Sequence, residues 1–310
     1  MERIKILIVG IGGVGGYFGG LLAKEYESSK EVDVYFLSRG ENLKQIKKAG
    51  LKIIEDDREI IAKPTIVSND AKDFGIVNYI LFCTKSYDID KTVTQLLPCI
   101  NEETVLVPLQ NGVNNRTIIS KKLKSNLITE GCVYLISRLE KPGVIVKKGN
   151  VGSLFFGLET VKNARLDKLQ VLLSQAKVKS ELSNNIRKIA WEKFIFLSAI
   201  ATATTYFDAK ITEVLKDELK VKLLGSLIDE VTHLAESEQI NIGGNQSKRV
   251  FEILNSLPAG ATTSMHSDFT NKKKNTELES LTGYVVNEGK RNKVVIETFE
   301  KMYNEIKKMK

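Results

Sequence analysis

An α/β half, folded as a doubly wound and mostly parallel sheet, followed by an all-helical half, is the fold class that this 310-residue sequence predicts. Three observations predict it. An apolar strand near the amino terminus runs into a glycine-studded turn that opens a helix. Strand-like and helix-like runs then alternate through the first half. From about Asn185 onward the apolar residues recur at helical spacing alone. Strands that alternate with helices build parallel sheets, so the expected boundary falls at 183/184, giving domains 1–183 and 184–310.

The first element is the run Ile4-Lys5-Ile6-Leu7-Ile8-Val9, which leads into Gly10-Ile11-Gly12-Gly13-Val14-Gly15 and an apolar helix beyond. This is a G-x-G-x-x-G fingerprint in the context it requires, after a strand and before a helix, and it marks a Rossmann-type dinucleotide site. Gly10 permits the tight turn, Gly12 lets the backbone approach a pyrophosphate, and Gly15 lets the helix lie close on the sheet. The helix N-terminus turns unpaired N–H groups toward the phosphates.

Residues 32–37, Val-Asp-Val-Tyr-Phe-Leu, form the second strand. Residues 52–61 read as a hairpin about Asp56-Asp57, and residues 79–83 as a strand apolar on both faces. A helix is expected at 89–97 and strands at 105–109, 128–136, 144–147 and 154–156, with Pro142-Gly143 as a turn. In the second half, helical periodicity covers Ile186, Ile189, Ala190, Phe194, Leu197 and Ala201, then residues 219–234, 250–257, 278–286 and 294–306.

Composition narrows the function. The chain is 42% hydrophobic and 27% charged with five prolines, as in soluble globular proteins. Its longest apolar run, 194–203, is interrupted by Ser198 and Thr202, and no stretch approaches the ~20 residues of a membrane helix. The amino-terminal apolar run ends in the fingerprint, which does not fit a secretory signal. Cys83, Cys99 and Cys132 are odd in number and scattered, which argues for reduced thiols in a cytoplasm and against a disulfide framework or a metal site. The net charge of +8 arises from lysines interspersed with acids, without a basic stripe, so nucleic acid is not an expected partner.

The tips of the strands carry the candidate chemistry. The second strand ends Leu37-Ser38-Arg39-Gly40, without the carboxylate that grips the ribose of NAD. A guanidinium takes a phosphate through two parallel hydrogen bonds, so Ser38 and Arg39 favour NADPH. Thr84-Lys85-Ser86 and Gln110-Asn111-Gly112 follow two further strands, at the carboxyl edge where open α/β sheets bind ligands. Lys85 could neutralise an anion there, and Asn111 could bond the nicotinamide side or the substrate. Lys193, in Trp191-Glu192-Lys193-Phe194, interrupts an apolar helix, and a lysine facing the cleft can protonate a carbonyl oxygen as hydride arrives. Glu277 could orient that ammonium or bind a ribose. His233 is expected on a helix surface, and His266 only to line a cleft.

Together these residues resemble the ketopantoate reductase (2-dehydropantoate 2-reductase) family over nearly the whole chain. The fingerprint through Gly16-Tyr17-Phe18-Gly19, then Ser38-Arg39-Gly40, Thr84-Lys85, Gln110-Asn111-Gly112, Trp191-Glu192-Lys193, Thr263-Ser264-Met265 with Asp268, and Glu277-Leu278-Glu279 with Gly283 look like its motifs in order. The resemblance implies a Rossmann domain joined to a helical domain. It also implies NADPH-dependent reduction of ketopantoate to pantoate, on the route to pantothenate and coenzyme A. Lys193 would be the general acid and Glu277 its coenzyme-contacting partner, with Asn111, Ser264 and Asp268 on the substrate side. A homodimer is compatible with such a fold.

The chain departs from the family pattern at Leu197, Ala201 and Ala261, where amides are usual. Each missing amide is worth ~1–3 kcal/mol if its partner stays buried, which makes a more apolar 2-oxo acid the alternative substrate. A reductase of glycerol 3-phosphate type would need cationic clamps that the Leu197/Ala201 face does not offer. A non-catalytic NADP(H) sensor would need neither Lys193 nor Glu277.

Overall fold

The computed structural model describes residues 3–159 and 162–309, which divide into two compact units. The first holds the chain up to Gln110 together with Asn114–Ile186; the second holds Asn111–Val113 and the chain from Arg187.

In the first unit the elements run β1 (Ile4–Val9), α1 (Gly13–Glu25), β2 (Val32–Leu37), α2 (Gly40–Ala49), β3 (Leu51–Glu55), β4 (Arg58–Ala62), β5 (Ile66–Ser68) and β6 (Tyr79–Phe82). They continue with α3 (Ile89–Leu96), β7 (Val105–Pro108), α4 (Asn115–Ser120), β8 (Leu127–Ile128), β9 (Glu130–Lys141), β10 (Val144–Gly157), α5 (Ala164–Gln175) and β11 (Lys179–Leu182). Six strands form a wholly parallel sheet in the order β5-β2-β1-β6-β7-β8. The strand order reverses between β1 and β6, the switch point at which such sheets open a crevice at their carboxyl edge. β2, β6 and β7 are buried at every position, as strands covered on both faces must be.

The remaining strands do not extend this sheet. They build a second, mixed one in the order β11-β10-β3-β4, with β9 antiparallel to β10. The hairpin expected at 52–61 is its β3–β4 edge. Residues 144–147 and 154–156, expected as separate strands, are the two ends of β10. Its first end pairs with β3 and its second with β11, across a register irregularity between Lys147 and Gly152. The run expected at 128–136 is likewise divided: β8 belongs to the parallel sheet and β9 to the mixed one.

Helix α1 is the wedge between the sheets, and its glycines explain how it fits. A Cβ on Gly15 would lie 2.8 Å from Cys83 Cβ at the tip of β6, and one on Gly19 2.9 Å from Ile8 of β1. On the opposite face, a Cβ on Gly16 would meet Ile145 of β10 at 2.5 Å. Phe18 of the same helix is wholly buried, and its truncation to alanine should cost ~3–5 kcal/mol.

The second unit is helical: α6 (Ile186–Tyr206), α7 (Ile211–Leu215), α8 (Glu218–Ser237), α9 (Gln246–Asn255), α10 (Ser264–Thr270), α11 (Thr282–Asn292) and α12 (Glu297–Lys308). Its apolar cluster draws on Phe194 and Ile200 of α6, Leu227 and Val231 of α8, and Phe299 and Met302 of α12. The helix expected at 278–286 begins only at Thr282, because Leu278–Leu281 is taken up by a turn that closes Leu281 N–H onto Glu277 O. The helix expected at 294–306 begins at Glu297, after Lys293 adopts a left-handed conformation (φ +57°) that ends α11. Residues 250–257 are expected helical, but α9 is shifted toward the amino terminus because Asn245 caps it by accepting from Lys248 N–H.

Candidate active site

The fingerprint turn lies at the tip of β1. Gly10 has φ +91°, and a Cβ there would sit 2.9 Å from the Thr84 nitrogen, so the turn closes only with glycine. Gly12 is the N-cap of α1, and a Cβ on it would meet nothing within 4 Å. The backbone therefore presents an open approach in front of a helix N-terminus whose first turn carries no acidic residue. That cradle fits a pyrophosphate. Gly13 and Val14 supply the first N–H groups of the helix, and Ile11, nearly buried, packs behind the turn.

Ser38 and Arg39 follow β2 on the same edge. Ser38 is buried, with its N–H on Ser68 O, whereas Arg39 is the N-cap of α2 and its side chain is 86% exposed. Asp88, beyond the tip of β6, stands 3.8 Å from the guanidinium. Sequence reasoning found no carboxylate at the end of β2; the structure brings one from the turn that follows β6. Lys85, half-buried, precedes the single 3₁₀ turn Ser86–Asp88 after β6. Gln110 follows β7, is buried, and reaches Thr84 Oγ1 through Nε2 at 3.3 Å. The parallel sheet thus gathers the fingerprint, Ser38, Arg39 and Lys85 on one edge.

In the second unit, Lys193 projects from α6, and its Nζ donates to Asn111 Oδ1 at 2.9 Å. Sequence reasoning named both residues but placed them in different halves. Asn111 counts with the helical unit although it follows β7 within two residues of Leu109. Leu197, one turn beyond Lys193, is half-buried against the apolar cluster, and Ala201 is wholly buried. Glu277 is only 2% exposed and sits at the head of the turn before α11. Ser264 is exposed as the first residue of α10, whereas Asp268 is buried and bound by Lys273 Nζ at 2.6 Å.

The carboxyl half of α6 joins these segments through a buried hydroxyl ladder invisible in the sequence. Thr202 and Thr282 hydroxyls meet at 2.7 Å, tying α6 to α11; Thr204 and Thr263 meet at 3.0 Å, tying it to the N-cap of α10. His266 is not a bystander at a cleft. It is buried, with Nε2 2.9 Å from Asp208 Oδ1 and Nδ1 2.6 Å from Thr262 Oγ1. An ionised carboxylate can only accept, so Nε2 carries the proton toward Asp208. The i,i+4 spacing of Thr262 and His266 was the one signal the sequence offered. His233 is exposed, as expected.

This chain thus carries a glycine turn at the edge of a parallel sheet in one unit and a lysine held by an amide in the other. Comparison with known proteins gives it a family. The family model for ketopantoate reductase PanE/ApbA matches residues 6–159 and that for its C-terminal domain residues 185–310, so the chain belongs to the ketopantoate reductase family of NAD(P)H-dependent oxidoreductases. It is 27% identical to the uncharacterised oxidoreductase YkpB of Bacillus subtilis (strain 168) over 97% of both chains. It is 23% identical to the 2-dehydropantoate 2-reductase of Lactococcus lactis subsp. lactis (strain IL1403), covering 93% of this chain and 92% of the other. The crystal structure of 2-dehydropantoate 2-reductase from Porphyromonas gingivalis W83 superposes with a TM-score of 0.86 at 29% identity, over 98% of this chain and 99% of the other. Among the described residues no helix is long and apolar enough to cross a membrane, and no group of His, Cys, Asp or Glu could hold a metal ion.

Proposed function

We propose that the protein reduces the keto group of a 2-oxo acid at the expense of NADPH, with ketopantoate (2-dehydropantoate) as first substrate and pantoate as product. The observation that carries this reading is the Lys193–Asn111 hydrogen bond, in a chain of this family. An amide oxygen only accepts, so Asn111 takes a hydrogen from Lys193 and fixes where Nζ stands.

When bound, the nicotinamide supplies the hydride. Gly10, Ile11, Gly12, Gly13, Val14 and Gly15 would hold the pyrophosphate, Ser38 and Arg39 the 2′-phosphate, and Lys85 the anionic charge beyond. Lys193 delivers a proton to the substrate oxygen as that oxygen gains charge, a contribution of ~10²–10⁴ in rate for a placed general acid. We assign Glu277 to the coenzyme ribose and to orienting the lysine, and Asn111, Ser264 and Asp268 to the substrate side. On this reading the reaction serves the route to pantothenate and coenzyme A in the cytoplasm.

One observation favours a second substrate. Leu197 shares the Lys193 side of α6 one turn on and packs among apolar side chains, as does Ala261. Both suit a 2-oxo acid with an apolar tail better than one with a hydroxyl. The test is the loss of NADPH absorbance on adding ketopantoate or 2-oxoisovalerate, each repeated with NADH. Turnover with ketopantoate is the expected result. Coenzyme binding without turnover of any acid would leave a sensor in place of the enzyme.

A further inference from the structure

Resting on the coenzyme reading above, we propose that Asn42 is a positioning residue that presets the Gly12 N–H for the pyrophosphate. Asn42 stands in the first turn of α2, four residues beyond Ser38. Its Nδ2 donates to Ile11 O, inside the fingerprint turn, at 2.9 Å, and to Ser38 Oγ at 3.3 Å. Its Oδ1 accepts from Gly143 N–H, in the β9–β10 turn, at 2.8 Å. The three contacts leave no doubt which end of the amide is which: a backbone carbonyl needs a donor and a backbone N–H needs an acceptor.

The consequence follows from peptide geometry. Ile11 C=O and Gly12 N–H belong to one planar unit, and in a trans peptide they point in opposite directions. By holding the carbonyl on the side of α2, Asn42 turns the Gly12 N–H away from α2. Gly12 is also the residue whose missing Cβ leaves the approach to the backbone open. The amide thus fixes one donor before the coenzyme arrives, and a preorganised donor loses less on binding than one that must be ordered. The same side chain anchors the turn of the mixed sheet, so the loop is held from outside the parallel sheet as well as from within.

The test compares two variants and two ligands. NADPH carries the pyrophosphate; adenosine 2′-monophosphate keeps the adenine and 2′-phosphate but has none. Asn42→Ala removes all three contacts, whereas Asn42→Asp keeps the acceptor for Gly143 and loses the donor to Ile11 and to Ser38, the latter the longer of the two at 3.3 Å. We expect both variants to weaken NADPH binding, measured by fluorescence titration, by ~10-fold, the worth of about one hydrogen bond. The competitive constant for adenosine 2′-monophosphate should stay within ~3-fold. Asn42→Asp binding NADPH as tightly as wild type would overturn the proposal in favour of a hairpin anchor alone. Equal losses for both ligands would overturn it in favour of a general disturbance of the site. Wild-type protein that binds neither NADPH nor NADH would overturn this proposal together with the functional reading beneath it.

Discussion

Arg39 illustrates how much rests on a single side chain. It stands at the tip of β2, where a carboxylate would select NAD, but its guanidinium is largely exposed and Asp88 lies 3.8 Å away. An exposed ion pair of that length is worth no more than ~1 kcal/mol, so a dianionic 2′-phosphate can displace it. Charge-assisted bonds contribute ~1.5–3 kcal/mol each, and Arg39→Ala should therefore raise the Michaelis constant for NADPH ~10–100-fold while leaving that for NADH nearly unchanged. Steady-state kinetics with both coenzymes decide it; equal effects would remove Arg39 from 2′-phosphate recognition. Arg39 was legible in the sequence because it follows closely on a strand. Asp88 was not, since only the pairing of β1 between β2 and β6 brings the two tips near each other.

At the scale of elements, α1 separates two kinds of glycine. Gly15 is needed for packing, so Gly15→Val should destabilise the fold by a few kcal/mol through overpacking against Cys83 and Gly10. Gly12 faces open approach at φ −97°, so Gly12→Ala should change stability by less than ~1 kcal/mol but weaken NADPH binding by at least ~10-fold. Thermal melts paired with titrations test the contrast, and a large stability loss in Gly12→Ala would contradict it. The fingerprint announced Gly12 and Gly15; it said nothing of Gly16, whose partner Ile145 belongs to a sheet the strand pattern did not separate from the first. Alternation and apolarity mark a strand but not the sheet it joins.

The mixed sheet holds α1 by a polar contact as well. Lys147 and Glu55 are register partners on β10 and β3, with Nζ and Oε1 2.8 Å apart, and Tyr17 of α1 donates to the same oxygen at 3.0 Å. Burial on its own would raise the Glu55 carboxyl, but the hydrogen bonds from Lys147 and Tyr17 and the lysine charge outweigh it and hold the group below the ordinary carboxylate range. Burial, with Glu55 beside it, pushes the Tyr17 phenol up. A carboxyl depressed in the folded state stabilises fully above its unfolded value of about 4.3 and loses that contribution as pH falls through the folded value. Lys147→Met should accordingly lower Tm more at pH ~7 than at pH ~3. An equal loss at both would show that the pair contributes nothing electrostatic.

Among the described residues the α/β unit holds two apolar clusters and the helical unit holds one. The change of period near Asn185 made the helical half legible, and the continuous apolar runs made the parallel strands legible. Helix starts were misplaced where a side chain or a left-handed residue decides them, as Asn245 and Lys293 do, because periodicity registers faces and not ends. The link between His266 and Asp208 was hidden for a different reason: it joins the end of α6 to the start of α10, and only the packed helices bring those ends together.

Proton delivery in the proposed reaction rests on Lys193. Turnover of the preferred 2-oxo acid by wild type and by Lys193→Ala, with the NADPH dissociation constant measured on the same preparations, puts it to the test. A fall in kcat of ~10²–10⁴ with coenzyme affinity held within ~3-fold is the expected result. Undiminished turnover in the variant would contradict it, and the proton would then have to come from another group.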